Sequence, residues 1–371
     1  MNNPTSVLTT GIRNVRNVSR YIFGKGCISD LSSLLEARRK STRGRAVFFI
    51  DRYFKQAGLP AGLNAILPQD EVIFVETQHE PTTDFINSLR DIIYVKSTEN
   101  PVAIVGIGGG ITMDTAKAVS NLLTNGGEAA QYQGWDLVKV PGIFKIGIPT
   151  ISGTGAESTR TCVLINEKTG LKLGMNSDHT VFDQVVLDPE LTATVPREQY
   201  LYTGMDAFIH SIESMAGSYR NPVGDAYSRE TIALCQQVFQ ANDMMSSESR
   251  EKLMVASYLG GCAIATSYVG LVHPFSAGLS VVLGLHHCVA NCIALRALAE
   301  YYPEASAEFE DMLKRQNVSL PEGVCAGLNA AQFQKLFEST VIHEKPITNA
   351  LGTRWRDILT LDTVTGLFKK M

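Results

Sequence analysis

Four side chains in the second half of this 371-residue chain are of types that bind metal ions: Asp206, His210, His273 and His287. Asp206 and His210 fall in a helical pattern four positions apart, so they emerge one turn apart on the same face. Such a pair either shares a metal or makes an Asp–His hydrogen bond of purely structural value. His273 and His287 favour the metal. They lie between Lys252 and Arg296, a span without Asp, Glu, Lys or Arg, where a buried imidazole needs a partner. One carboxylate with three imidazoles suits Fe2+, Zn2+ or a similar divalent ion. The spacing of the two later histidines sets a condition on shape. On one straight helix they would stand ~21 Å apart at ~1.5 Å per residue, against metal–ligand bonds of ~2 Å. The segment must therefore fold back, and Gly278 and Gly284 are the available break points.

A second group of residues in the first half suits a nucleotide. Gly108, Gly109 and Gly110 follow an apolar run and precede Ile111-Thr112-Met113-Asp114, the start of a helical pattern. A backbone without side chains can approach a pyrophosphate there, and a helix N-terminus offers it unpaired N–H groups. The same triplet also serves a plain tight turn. Thr150–Glu157 forms another loop after an apolar run, in which Thr150, Ser152 and Thr154 alternate with apolar residues and glycine. Hydroxyls and glycines suit phosphate and amide contacts, or an ordinary turn. Asp51 ends an earlier apolar run. Its carboxylate either accepts from a ribose diol, favouring NAD over NADP, or caps the helix after it. Together the loops predict a dinucleotide across the carboxyl edge of a sheet, without the usual G-x-G-x-x-G spacing.

The elements that must carry these residues follow from periodicity. Apolar runs at 46–50, 72–76, 102–107 and 144–149 alternate with helical patterns at 85–95 and 113–123. That alternation predicts a parallel sheet with helices on both faces. From about Pro196 helical segments take over, at 197–217, 223–242, 248–268, 288–302, 306–315 and 330–341. The shift predicts a dinucleotide-binding α/β domain over 1–195 and an all-α metal-binding domain over 196–371, with a cleft between them. Charged residues at 19% and hydrophobic ones at 44% mark an ordinary globular protein. The net charge of −4, with only the short basic patch Arg38–Arg45, argues against nucleic acid as a partner. Seven scattered cysteines without a C-x-x-C pair, and a polar start MNNPTSVLTT, point to a reduced, cytoplasmic protein. The charge-free span is broken by His, Pro, Asn and Gly, so no membrane segment is expected.

Taken in order, these motifs resemble the iron-containing alcohol dehydrogenases, a branch of the superfamily that includes dehydroquinate synthase and glycerol dehydrogenase. The resemblance rests on Gly108–Lys117, Pro149–Glu157, Leu187–Thr192 leading to Pro196, and Gly204–His210 with Glu213. It implies an α/β dinucleotide domain, a helical domain and a homodimer. It places the metal ligands on Asp206, His210, His273 and His287. Cofactor contacts fall on Asp51, Gly109, Gly110, Thr150, Ser152, Thr154 and Lys172, in addition to the turn residues Gly108 and Asp114. Two residues depart from the family pattern. Ala277 stands where many members have another histidine, and Glu80 stands where many have asparagine before Pro-Thr. With Ala277 unable to carry a proton, the alcohol proton leaves by water, a cofactor ribose hydroxyl or another side chain, His286 being the candidate catalytic residue.

The reaction implied is oxidation of a primary alcohol, with hydride passing to NAD(P). The likeness further implies a small sugar-acid substrate, 3-deoxy-D-manno-octulosonate oxidised at carbon 8 on the way to a lipopolysaccharide amino sugar. A lyase or cyclase of the dehydroquinate synthase type, and a non-catalytic metal- and nucleotide-binding sensor, are the alternatives.

Overall fold

A computed structural model describes residues 14–39 and 44–371. The polar start and the middle of the Arg38–Arg45 patch lie outside the described residues. The chain divides into two compact units, one of Arg16–Thr194 and one holding Val195–Met371.

The first unit is built on β1 (Arg20–Phe23), β2 (Ala46–Asp51), β3 (Glu71–Val75), β4 (Ala103–Gly108), β6 (Lys145–Pro149) and β9 (Gln184–Leu187). These pair in the order β1-β9-β6-β4-β2-β3, every neighbour parallel. Ala-Val-Phe-Phe-Ile in β2 and Ala-Ile-Val-Gly-Ile in β4 are buried along their whole length, the pattern of central strands covered on both faces. Phe48, Ile50, Val105, Ile107, Ile146 and Ile148 fill the core beside them. The connecting helices are α1 (Leu31–Arg39), α2 (Tyr53–Ala57), α3 (Thr83–Lys96) and α4 (Gly110–Asn125).

A second sheet, of β5 (Gly134–Trp135), β7 (Thr161–Asn166) and β8 (Leu171–Asn176), was not foreseen from the sequence. Its core is the antiparallel hairpin of β7 and β8, whose turn closes on Gly170 at φ +66°. The strands alternate buried and half-buried residues and include a glycine, which weakens the apolar signal that reveals β2 and β4. The four-residue strands β1 and β9 are likewise too short to show a period.

The second unit is helical: α5 (Arg197–Ala216), α6 (Pro222–Phe239), α7 (Ser247–Ser267), α8 (Val272–Leu283), α9 (His287–Ala297), α10 (Pro303–Gln316), α11 (Ala330–Val341), α12 (Glu344–Leu351), α13 (Trp355–Ile358) and α14 (Leu361–Phe368). α5 is buried on every side from Tyr200 to Ser214, so its polar residues are interior ones. The helix predicted at 288–302 stops at Ala297, where Leu298 N is shared between Ala294 O and Leu295 O, and Pro303 then opens α10. Between α7 and α8 the chain bends by 106°, and Tyr268 there takes φ +59°. α8 ends at Gly284, whose φ of +68° supplies one of the two expected breaks. Gly278 is not a break. It lies inside α8, where a Cβ would meet Thr340 Oγ1 at 3.0 Å and Phe368 at 3.2 Å, so its smallness serves close packing on α11 and α14. No single described helix is long and apolar enough to cross a membrane, and only α7 and α8 taken together, bent by 106°, reach that length and composition.

Candidate metal centre

Three helices converge their polar residues on one point of the second unit. α5 offers Asp206 and His210 from one face and Glu213 two turns along from Asp206. α8 presents His273 in its first turn, and α9 begins at His287 and carries Asn291 one turn later. Asp206, His210 and His273 each have a ligand atom within 4.8 Å of the others. His273 Nε2 is 3.4 Å and His210 Nε2 3.6 Å from Asp206 Oδ1, while His287 Nε2 is 3.7 Å from Oδ2. Donors bound at ~2.1 Å with tetrahedral angles stand about 3.4 Å apart. Asp206, His210 and His273 therefore fit a divalent ion in both chemistry and spacing, and His287 adds a fourth donor, an imidazole, beside the other oxygen of Asp206. The His210 and His273 rings stack at 4.7 Å, nearly parallel.

The outer contacts orient these donors. Glu213 is fully buried and its carboxylate accepts from His273 Nδ1 and from the Val272 N–H. Burial lowers His273, and the carboxylates of Glu213 and Asp206 outweigh it and raise it to about 9. With Nδ1 held by Glu213, an ion would take Nε2 by displacing its proton. Asn291 Nδ2 donates to Asp206 Oδ1 at 2.7 Å and lies 3.2 Å from His287 Nε2. Burial pushes the Asp206 carboxyl up, and the imidazoles of His210, His287 and His273 outweigh it, holding it well below the usual range. Burial lowers His210 to about 4, which leaves its ring neutral near pH 7 and able to act as a ligand. Asn291 was not anticipated from the sequence. Its signal is the helical spacing of four from His287.

His286 does not join the cluster. It is exposed at the N-terminal boundary of α9, and the ring that meets Asp206 is that of His287. Ala277 lies buried on α8, one turn after His273.

The expected nucleotide residues lie in the first unit, Asp51, Gly108–Gly110 and Thr150–Thr154 at or just after strand ends, Asp114 within α4 and Lys172 within β8. Thr150 N donates to Gly108 O at 3.0 Å, which joins the glycine turn to the second loop. A Cβ on Gly109 would meet Ile151 at 3.0 Å, and one on Gly110 would meet Thr154 at 3.4 Å, so both glycines keep a narrow space open. Ser152 Oγ is buried with no hydrogen-bond partner among the described residues. A bare turn at a helix N-terminus beside an unsatisfied hydroxyl fits a pyrophosphate. Asp51 ends β2, the neighbour of β4, and its Oδ1 accepts from Tyr53 N at 2.9 Å and Thr77 Oγ1 at 3.3 Å. That oxygen thus has the structural role of holding the turn into α2. Asp114 Oδ2 accepts from Val163 N at 2.8 Å, so it ties α4 to β7. Lys172, on β8, forms a 2.7 Å ion pair with Glu80.

Comparison with known proteins agrees with this geometry. The model of the iron-containing alcohol dehydrogenases matches residues 18–189, and the C-terminal model of the same family matches residues 200–339. A sulfoacetaldehyde reductase of Bilophila wadsworthia is 32% identical over 80% of this chain and 78% of its own length. Alcohol dehydrogenase 4 of Schizosaccharomyces pombe is 29% identical over 78% of this chain and 69% of its own. The crystal structure of a sulfoacetaldehyde reductase from Bifidobacterium kashiwanohense in complex with NAD+ shares the fold, with a TM-score of 0.78 at 21% identity over 96% of this chain and 97% of that one.

Proposed function

Because this chain belongs to the iron-containing alcohol dehydrogenase family and is an oxidoreductase acting on CH–OH groups, we propose that it oxidises the terminal primary alcohol of a sugar acid. The substrate we assign is 3-deoxy-D-manno-octulosonate, oxidised at carbon 8, with NAD as hydride acceptor. The observation that carries the alcohol chemistry is the gathering of Asp206, His210 and His273 at mutual ligand spacing, with His287 3.7 Å from the Asp206 carboxylate. Support for a bulky substrate comes from Ala277. A methyl group one turn from His273 leaves more room than a larger side chain would.

A divalent ion, Fe2+ or Zn2+, supplies Lewis acidity toward the substrate hydroxyl when bound, and NAD accepts the hydride. The protein's own part is to hold donors and exclude competing charge. Asp206 contributes the negative charge, Glu213 fixes the tautomer of His273, and Asn291 restrains the Asp206 carboxylate. In the first unit Gly109 and Gly110 let the backbone reach the pyrophosphate. Asp51 disfavours a 2′-phosphate, which supports NAD over NADP.

The test is the rate of NADH formation with the sugar acid, ethanol and propanediol as substrates. A far higher kcat/KM for the sugar acid is expected, with NADH accumulating in proportion to aldehyde. Comparable efficiency on ethanol would overturn the substrate assignment. Product formation without net NADH would point instead to a lyase that recycles its cofactor.

A further inference from the structure

We infer that Asn349 is a positioning residue of the metal centre, holding from α12 the loop that delivers His273. The inference rests on the metal-binding reading of Asp206, His210, His273 and His287 but not on the substrate. α12 lies beyond residues 200–339, the part matched to the family's C-terminal model. Asn349 is nevertheless only 1% exposed. Its Oδ1 accepts from Tyr219 N at 2.8 Å, and its Nδ2 donates to Ser267 O and Val269 O, each at 3.0 Å. The partners fix which amide atom is which, since one is an N–H and two are carbonyls. Its own carbonyl accepts from Ser218 N at 2.8 Å.

These four bonds join the ends of the two metal-bearing segments. Residues 217–219 leave α5, which carries Asp206, His210 and Glu213. Residues 267–271 leave α7 and enter α8 just before His273. The seat is tight, because a Cβ on Gly217 would come within 2.3–2.5 Å of Asn349 Oδ1, Nδ2 and Cγ.

The 267–271 loop needs an external hold. Tyr268 adopts φ +59° and ψ 166°, a conformation that residues with side chains rarely enter. The carbonyls on either side of it, Ser267 O and Val269 O, are the two that Asn349 takes. Beyond them Leu271 N donates to the Tyr302 hydroxyl and Val272 N to Glu213. From Asn349 to His273 the backbone thus runs through successive fixed points. Lys345, one turn earlier on α12, lies 5.9 Å over the Tyr268 ring, and that ring meets Tyr219 edge-on at 5.2 Å. The 3.4 Å approach of His273 to Asp206 depends on this path.

The experiment measures Co2+ affinity and the cobalt d–d spectrum in the full-length protein, without substrate. Asn349→Ala and Asn349→Asp are compared with Leu359→Ala, a core truncation near α12 that leaves these hydrogen bonds intact. Both Asn349 variants are expected to bind Co2+ about tenfold or more weakly, with an altered spectrum, whereas Leu359→Ala keeps wild-type affinity at a similar loss of Tm. Equal affinity and spectra in Asn349→Asp and Leu359→Ala would overturn the inference. Wild type that binds no Co2+ would overturn the metal reading with it. If neither Asn349 variant folds, hydrogen exchange on wild type decides. By reciprocal linkage, Zn2+ loading must slow exchange of the 344–351 amides, and unchanged exchange there would overturn the proposal.

Discussion

The two units build their sites from different materials. In the sheet unit the candidate nucleotide site is mostly backbone, Gly108–Gly110 and the 150–154 loop, held at the ends of β4 and β6. Its buried charges serve the fold, as when Lys117 Nζ donates to Thr159 O and Thr161 O and Asp114 accepts from Val163 N. In the helical unit the site is made of side chains, and the buried charges Asp206 and Glu213 are themselves the site. A backbone site fails when atoms are added, whereas a side-chain site fails when they are removed. Substitutions of opposite kinds should therefore break the two.

The largest effect is expected from Asp206→Ala. It removes the carboxylate around which the three imidazoles gather, and with it several kcal/mol of charge stabilisation. Turnover should fall about a thousandfold or more and bound metal well below one per chain, as elemental analysis would show. The helical fold should persist, by circular dichroism. Full metal content with normal turnover would break the comparison at its strongest point.

Lys145 tests the claim that buried charge in the sheet unit belongs to the fold. It is almost fully buried on β6, 3.8 Å from Asp183, and burial lowers it to about 8 from an ordinary 10.5. Between those two values the unfolded chain binds more protons than the folded one, so stability rises with pH across about 8 to 10.5. Below pH 8 the full penalty of about 3 kcal/mol applies. Lys145→Met should remove that slope, stabilise the protein at pH 7 and leave NADH affinity unchanged. Denaturant melts at pH 7 and pH 10 read this directly, and identical pH slopes in the two proteins would refute it.

Glu213→Gln sharpens the contrast from the other side, since it keeps the size of a buried group and removes only its charge. The amide can still accept from Val272 N or from His273 Nδ1, but it no longer favours donation from Nδ1. Metal affinity should drop about 10- to 100-fold, with Tm changed much less than by a core truncation. A chelator competition assay measures it.

What could be read in advance divides along the same line. Asp206, His210, His273 and His287 were legible because helical spacing and a charge-free span constrain side chains that must find partners. The central strands were legible because β2 and β4 are apolar throughout. Asn349 was not, since an asparagine in a helix carries no apolar period and its partners come from other segments, and Asn291 offered only its spacing of four from His287. Of the adjacent His286 and His287, the start of α9 brings the ring of His287 to Asp206, a distinction that adjacency in sequence does not carry. The β7–β8 hairpin, with its half-buried alternation, had too weak a pattern to register.

Gly110→Ala is the smallest change and the most direct test of a backbone-built site. The new methyl would sit 3.4 Å from Thr154, an ordinary contact, and Gly110 opens α4 without a positive φ. The fold should therefore accept it, with stability unchanged within about 0.5 kcal/mol. Gly108→Ala is different, for its Cβ would come within 2.5 Å of Thr112 Oγ1 and strain the β4–α4 turn itself. If the open space at Gly110 exists for a pyrophosphate, the methyl occupies it and NADH should bind about tenfold more weakly, roughly 1.4 kcal/mol. Fluorescence titration of NADH, set beside Tm, separates the two effects. Adding one carbon atom would then cost binding and no stability, the reverse of the Lys145→Met outcome in the same unit. Unchanged NADH affinity with an unchanged Tm would mean that the glycine turn is only a turn, and the nucleotide reading would have to rest on Asp51 and the 150–154 loop alone.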